Sequence, residues 1–192
     1  MTIALVWFRY DLRLNDNPAF INACSHHQFV IPLYIYDEKN SALGEAQNWW
    51  LHHSLNSLSD SLIQRGLNLI LRKGNPLEII LDLIKTVSVS SVYWNRCYEP
   101  AAISRDKKIK AILLEQGIEV HSSNGSVLHE PWTIRNKSDN YFKVFTPYWK
   151  YCKQILSIPT PKHLEYYPAG VEVQSEKLLE RKLLPTINWA VR

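Results

Sequence analysis

Glycine is scarce in this 192-residue sequence, which contains only six. None of them forms a GxGxxG or GxxxxGK[ST] pattern, in which glycine lets a phosphate approach the main chain at a helix start. The turn after the first apolar run, residues 9–11, has no glycine either. These absences argue against a dinucleotide-binding enzyme and against a phosphate-loop ATPase.

Cysteine and long apolar runs are also few. The three cysteines, Cys24, Cys97 and Cys152, are odd in number and form no CxxC motif, so reduced thiols are expected. The longest apolar stretch, Phe29–Tyr36, is interrupted by Pro32 and is far shorter than the roughly 20 residues of a membrane span. We therefore expect a cytoplasmic protein without a membrane segment.

Positive charge is in slight excess but is not concentrated. The formal net charge is +4, and the only local cluster of basic residues lies within 105–110. Such a run is typical of a solvated helix face, whereas dedicated nucleic-acid modules gather Lys and Arg on one element.

Two histidine pairs, His26-His27 and His52-His53, could suggest a metal. Adjacent residues on a helix point about 100° apart, so they chelate one ion poorly, and zinc sites prefer spacings of three or four. Surface or partly buried imidazoles are the interpretation that we favour. No serine or cysteine stands in a GxSxG elbow.

Short apolar runs alternate with helical patterns along the first part of the chain. Strands are predicted over 3–8, 29–36, 67–71, 92–94 and 118–121, and helices over 18–24, 46–65, 76–84 and 102–116. Strands that alternate with helices of this length favour right-handed βαβ units. The prediction is an α/β domain over 1–152, with an open five-stranded parallel sheet and helices on both faces, as in Rossmann-like folds.

Beyond Cys152 the apolar pattern fades, and four prolines punctuate the chain. Residues 153–192 are predicted to form an extended interdomain linker, or a strap that lies on another surface.

The most specific motif is the segment 7–17, WFRYDLRLNDN, in which two arginines alternate with aspartates before a helix cap. On physical grounds, Arg9 and Arg13 are expected to pair with the carboxylates of Asp11 and Asp16 and so fix the turn.

This segment resembles the opening signature of the photolyase/cryptochrome family, W-x-R-x-D-L-R-x-x-D-N. Three further segments, 49–55, 93–100 and 143–150, resemble family segments in the same order. The resemblance covers residues 1 to about 152 well and the linker up to Trp189 loosely.

The resemblance implies a light-driven enzyme that splits ultraviolet-induced pyrimidine dimers in damaged DNA. In that family FAD and the flipped-out lesion are bound by a C-terminal helical domain, which these 192 residues are expected to lack. The isolated chain is therefore expected to bind no FAD and to repair no DNA. The α/β domain of the family holds a second, light-harvesting antenna chromophore.

The antenna site is expected at the carboxyl edge of the sheet, where open α/β sheets bind ligands. The candidate residues for binding are Arg9, Asp11, Tyr36, Asp37, Gln47, Asn95, Arg96 and Glu99. A loop that only packs on the helical domain is the alternative. Folate-binding relatives carry an Asn-Glu pair where this chain has Ala101-Ala102, so a deazaflavin or FMN is favoured over methenyltetrahydrofolate.

Aromatic residues interleave with lysines between Tyr141 and Lys150. Such a pattern can bind single strands. The resemblance instead implies a domain interface, which could drive self-association if it were exposed. Three functions stay open: the antenna portion of a photolyase, a cryptochrome-type flavin photoreceptor, and a stand-alone small-molecule-binding α/β module.

Overall fold

The structure, a computed structural model, describes residues 2–37 and 43–185. The strands are β1 (Ile3–Phe8), β2 (Phe29–Tyr36), β3 (Ile70–Lys73), β4 (Ser91–Asn95), β5 (Glu119–Ser123) and the two-residue β6 (Ala169–Gly170). The helices are α1 (Pro18–His26), α2 (Glu45–Ile63), α3 (Pro76–Val87), α4 (Pro100–Glu115) and α5 (Phe145–Ile155), followed by a 3-10 turn at Leu178–Arg181.

The main sheet is parallel and open, with the strand order β3-β2-β1-β4-β5. The chain winds outward from β1 to β3, crosses back, and continues from β4 to β5. This order places the topological switch point between β1 and β4. The five-stranded α/β sheet predicted from the sequence is confirmed.

Two apolar layers enclose the sheet, one on each face. Residues of α1 and α2, such as Phe20 and Leu62, pack against one face, and residues of α3 and α4, such as Leu83 and Leu113, pack against the other. All four side chains are 1% exposed or less. Each such burial contributes about 1.5–3 kcal/mol, so both faces stabilise the domain.

Both predicted proline-led helix starts are present. Asn17 accepts a hydrogen bond from the Phe20 N–H at 3.1 Å before Pro18, and Asn75 accepts one from the Leu77 N–H at 2.9 Å. These caps satisfy main-chain donors that a helix start leaves unpaired.

The third strand lies further along the chain than its apolar run predicts. Leu67 and Leu69 are buried, yet the strand occupies Ile70–Lys73. The beginning of β2 pairs instead with β6, in the register Phe29 to Ala169 and Val30 to Gly170. A segment distant in sequence therefore pairs with the start of β2, and β3 pairs with the end of β2.

Residues 156–185, which we call the strap, run back across the domain. Lys162 accepts a hydrogen bond from the Asp16 N–H at 2.9 Å, and the Ser175 hydroxyl accepts one from the Leu71 N–H at 2.9 Å. Leu183 is only 4% exposed and belongs to the apolar layer of α1 and α2. The strap is thus part of the packed body. Trp189 lies outside the described residues.

Candidate functional site

The loop that follows β1 is organised around the carboxylate of Asp11. This carboxylate accepts hydrogen bonds from the Arg9 N–H at 2.9 Å and from the side-chain amides of Asn95 at 2.5 Å and Asn17 at 3.3 Å. Because Asn17 caps α1, one carboxylate joins the ends of β1 and β4 to the start of α1. The connection fixes the geometry of the switch point.

The Arg9 guanidinium turns away from this loop. It donates to the Asp106 carboxylate at 2.5 Å and to the main-chain oxygen of Asn95. The ring of Trp7 lies 4.8 Å from the guanidinium carbon of Arg9 and 4.9 Å from that of Arg105, within the range of cation–π attraction. Arg9 therefore links β1 to α4.

Arg13 also lacks the carboxylate partner that its sequence neighbours suggested. It donates to the main-chain oxygens of Asp16 at 3.0 Å and Gly125 at 2.7 Å. The predicted pairing of the two arginines with Asp11 and Asp16 is therefore wrong. Arg9 bonds to Asp106, 97 positions away, and Arg13 bonds to Gly125, 112 positions away, and local spacing reveals neither partner.

The crevice at the switch point itself is small. Its cavity has a volume of about 150 Å³ and is lined by Tyr10, Asp11, Arg13, Asn95, Arg96, Cys97, Tyr98, Glu99 and Ser126. The side chain of Asn95 is 3% exposed and Gly125 packs directly on it. A cavity of this size is below the range of about 300–1,000 Å³ that small-molecule sites occupy.

A larger cavity, which we call the α2 crevice, lies one strand away, beside the start of α2. Its volume is about 760 Å³, well within that range. It is lined by Arg9, Tyr10, Asp11, Leu12, Arg13, Tyr34, Leu43, Ala46, Gln47, Trp50, Leu51 and Ser54. The crevice has space for a flat multi-ring ligand.

The residues predicted for the antenna site divide among three cavities. Arg9, Asp11 and Gln47 line the α2 crevice, and Asn95, Arg96 and Glu99 line the small switch-point pocket. Asp37 is 8% exposed and lines a third space of about 60 Å³, together with Arg9. Tyr36 lines none of these cavities and packs against the apolar layer of α1 and α2. The predicted residues therefore lie near one edge of the sheet, but they do not line a single cavity.

Two aromatic residues of the α2 crevice were missed by the sequence reasoning. Tyr10 is 79% exposed and lines all three of these cavities, and Trp50 is 69% exposed on the first turns of α2. Large exposed aromatics near a cavity mouth are a common signature of ligand sites. The available signal was the position of Tyr10 directly after a buried strand.

Burial shapes the ionisation of the phenols around these cavities. It raises the pKa of Tyr10, with a further contribution from the nearby Glu99 carboxylate, and raises the pKa of Tyr34 more strongly. Both phenols therefore remain neutral at physiological pH and keep a hydroxyl that can donate. Burial also raises the pKa of the Cys97 thiol to about 11.

The α2 crevice carries one exposed guanidinium, that of Arg13, and one buried carboxylate, that of Asp11. The Arg9 guanidinium is already paired with Asp106 and adds no free charge. Gln47 uses its side-chain oxygen to accept from the Gly44 N–H at 3.1 Å, which leaves its amide nitrogen as a donor. An anionic or carbonyl-rich ligand suits this lining.

The histidine pairs have other contacts. The His27 ring lies 3.0 Å from the Tyr93 hydroxyl, and His52 packs edge-on against His53. Within residues 2–37 and 43–185, no three His, Cys, Asp or Glu side chains are arranged to hold a metal ion. None of the helices in the same part of the chain has the length and apolar character needed to cross a bilayer.

Comparison with known proteins identifies relatives of two kinds. A deoxyribodipyrimidine photo-lyase of Agrobacterium fabrum is 42% identical over 97% of this chain, and Cryptochrome-2 of Arabidopsis thaliana is 38% identical over 88%. The chain spans only 40% and 29% of the length of these relatives.

Solved structures share the fold. The class III photolyase from Agrobacterium tumefaciens superposes with a TM-score of 0.93 at 40% identity, over 98% of this chain and 39% of its own. An archaeal photolyase from Sulfolobus tokodaii superposes with a TM-score of 0.73 at 26% identity, over 88% of this chain and 39% of its own. The latter contains two FAD molecules, which imply a novel light-harvesting cofactor in that protein. The sequence matches the family DNA photolyase over residues 4–166, and the chain belongs to that photolyase/cryptochrome family.

Proposed function

We propose that this chain is the light-harvesting domain of a DNA photolyase and that the α2 crevice binds its antenna chromophore. The observation that carries the proposal is the cavity of about 760 Å³ at the carboxyl edge of the sheet, with Tyr10, Tyr34 and Trp50 in its lining. A chromophore bound there supplies the absorption of light. The residues of the chain bind it, orient it and shield it from water.

The lining favours a flavin-type chromophore, a deazaflavin or FMN. Flat rings pack well between aromatic side chains. The guanidinium of Arg13, which donates to main-chain oxygens, would attract an acidic tail. Gln47 offers an amide donor for a ring carbonyl. The second FAD in the Sulfolobus tokodaii photolyase supports a flavin in this role.

In this proposal the chain does not repair DNA by itself. It spans about 40% of the two Agrobacterium photolyases, and the family resemblance assigns FAD and the damaged DNA to a helical domain outside these residues. Residues 1–152 would then be the antenna domain, and residues 153–192, which include the strap packed on that domain, would lead to the helical domain. The test is blue-light repair of dimer-containing DNA by the isolated chain, which we expect to leave the dimers intact.

An exposed aromatic face on α5 is the proposed contact with that helical domain. Phe145 is 71% exposed and stacks on Trp149 at 6.4 Å, and Ile158 is 75% exposed close behind. Soluble domains seldom present so many large apolar side chains together without a partner. In the isolated chain this face would promote self-association.

Titration of FMN, a deazaflavin and methenyltetrahydrofolate into the 192-residue chain tests the antenna site. We expect FMN or the deazaflavin to bind with a change in its fluorescence, and Trp50→Ala to weaken that binding at least tenfold. Tyr166→Ala is the matched control, because this aromatic residue is 84% exposed and lies outside the crevice. Absence of binding, or equal binding by wild type and Trp50→Ala, would overturn the assignment.

A cryptochrome-type photoreceptor is the second candidate, because Cryptochrome-2 is 38% identical over 88% of this chain. Both candidates use the same antenna domain, so they differ in whether the complete protein repairs dimers. A stand-alone small-molecule-binding α/β module would keep the crevice without either activity.

A further inference from the structure

The loop that follows β1 joins the strap to the α2 crevice through Asp16. The main-chain N–H of Asp16 donates to the Lys162 carbonyl at 2.9 Å, and its carboxylate accepts from the Lys162 N–H at 3.4 Å. Both hydrogen bonds use main-chain groups of Lys162 and none of its side chain. They hold the exposed Asp16 on the first part of the strap.

Asp16 has a main-chain conformation that needs such support. Its φ of 49° lies in the left-handed region, which residues other than glycine rarely adopt. Aspartate enters this region more readily than most residues, but the right-handed and extended regions remain more favourable for it. The hydrogen bonds from the strap therefore stabilise a conformation that the loop alone would seldom keep.

The carbonyl of Asp16 in turn holds Arg13, the exposed cation in the lining of the α2 crevice. The Nη2 group of Arg13 donates to this carbonyl at 3.0 Å and to the Gly125 carbonyl at 2.7 Å. Gly125 is fixed by its close packing on the Asn95 side chain. Of the two carbonyls that anchor the guanidinium, that of Asp16 is therefore the one that depends on the strap.

The rest of the Arg13 guanidinium is available to a ligand. Within residues 2–37 and 43–185, its Nη1 and Nε groups make no hydrogen bond and no carboxylate forms an ion pair with it. These groups can therefore bind an anionic part of a ligand in the crevice. The main chain of Arg13 is fixed separately, because its carbonyl accepts from the Asn17 amide at 2.9 Å. Loss of the strap contact would thus loosen the guanidinium and leave the rest of the loop in place.

We propose that the strap controls the affinity of the α2 crevice for anionic ligands, and that Asp16 is the positioning residue through which it acts. While the strap is bound, Asp16 keeps the Arg13 guanidinium anchored on two carbonyls. Anchoring before binding reduces the entropy that is lost when the guanidinium is ordered around an anion. The inference rests on the antenna site proposed above and adds control of that site by the segment that would lead to the helical domain.

Flavins with and without a phosphate separate this role from a general loss of structure. FMN and riboflavin share one ring system, and only FMN carries a phosphate for Arg13 to bind. We expect the 192-residue chain to bind FMN about tenfold more tightly than riboflavin, and Arg13→Gln to remove most of that preference. Asp16→Ala removes the carboxylate that binds the strap, and Lys162→Pro removes the N–H that donates to it. Both variants should lower the affinity for FMN about fivefold and leave the affinity for riboflavin unchanged.

Two control variants keep the contact with the strap. Asp16→Asn retains a side-chain oxygen that accepts from the Lys162 N–H, and Lys162→Ala retains both main-chain groups. Both should bind FMN at least as tightly as the wild type does. An equal loss of FMN and riboflavin binding in Asp16→Ala would show that Asp16 only supports the fold. Unchanged FMN binding in Asp16→Ala and Lys162→Pro would show that the strap exerts no control, and either result would overturn the proposal.

Hydrogen exchange gives the reciprocal measurement. If strap binding raises the affinity for FMN, then FMN must stabilise strap binding by the same factor. FMN should therefore slow the exchange of the Asp16 amide, which donates to the strap, more than riboflavin does. Equal protection by both flavins at saturation would contradict a coupling through the phosphate.

Side-chain NMR of Arg13 tests the positioning role without any ligand. In the wild type the guanidinium signals should show the slow rotation of an anchored group, and in Asp16→Ala and Lys162→Pro the group should rotate faster. If neither flavin binds, the proposed antenna site fails, and this measurement still decides whether the strap positions Arg13. Identical Arg13 signals in the wild type and in both variants would overturn the inference.

Discussion

Gly125 packs so closely on Asn95 that a methyl group on its Cα would lie 2.6 Å from the side-chain nitrogen of Asn95. Real Cβ atoms do not approach so closely, and Asn95 is fixed by its other hydrogen bonds. Gly125→Ala should therefore lower the free energy of unfolding by about 1–3 kcal/mol. Urea unfolding measures the change. The neighbouring Ser126→Ala keeps an existing Cβ and should stay within about 0.5 kcal/mol of wild type.

Asn95 itself holds the switch point together. It donates to Asp11 at 2.5 Å and to Asn17 at 2.8 Å, and it accepts from the Ala19 N–H at 3.2 Å. Asn95→Ala removes these three buried hydrogen bonds together, so we expect a loss of at least about 2 kcal/mol of stability. Asn56→Ala, which removes one exposed hydrogen bond to Asp60, is the matched control in the same urea experiment. Equal losses in both variants would contradict this role.

The ion pair between Arg9 and Asp106 is buried, with side-chain exposures of 7% and 12%. Asp106→Asn would leave a guanidinium inside the protein without its carboxylate, at an expected cost of about 3 kcal/mol. Thermal unfolding is a suitable measurement, with Asp82→Asn on the exposed side of α3 as the control. A melting temperature equal to that of the control would show that the Asn95 carbonyl alone satisfies Arg9.

Cys97 should react slowly with iodoacetamide because burial raises the pKa of its thiol to about 11. Only the thiolate reacts, and a pKa of about 11 leaves roughly one thiol in a thousand ionised at pH 8. A raised pKa shifts ionisation to higher pH, so the labelling rate should climb about tenfold per pH unit and level off near pH 11. Mass spectrometry of the labelled peptide follows the rate, and the urea-unfolded chain provides the reference. A plateau near pH 9 would contradict the effect of burial.

Leu183 tests whether the strap contributes to stability. It is 4% exposed in the apolar layer of α1 and α2, so Leu183→Ala should cost about 2–4 kcal/mol in urea unfolding. Leu179→Ala, in the same segment but 75% exposed, should have little effect. If both variants were neutral, the strap would behave as a loose linker.

The sequence alone predicted the elements that depend on neighbouring residues. The apolar runs Ile3–Phe8 and Phe29–Tyr36 form strands with those bounds, and Asn17 and Asn75 cap the helices that follow them. The third strand was predicted to begin too early because buried leucines such as Leu67 and Leu69 give the same apolar pattern whether or not they pair in a strand. Pairing of β6 with the start of β2 distinguishes the two, and β6 lies about 100 residues beyond Leu69 in the sequence.

The candidate site was predicted less well, for a related reason. Arg9, Asp11 and Asn95 were correctly assigned to one edge of the sheet, but their mutual hydrogen bonds fill the switch point and leave little space there. The α2 crevice, in contrast, depends on how α2 packs over the sheet. Tyr10 and Trp50 became visible as its lining only once that packing was known.

Pairing between residues 29 and 169 also has a consequence for the order of folding. Contacts of such long sequence separation form late, because a long loop must close before they gain any energy. While the chain emerges from the ribosome, the start of β2 keeps an unpaired edge until β6 has been synthesised. Unpaired edges invite aggregation, so this interval is when the nascent protein would most depend on chaperones.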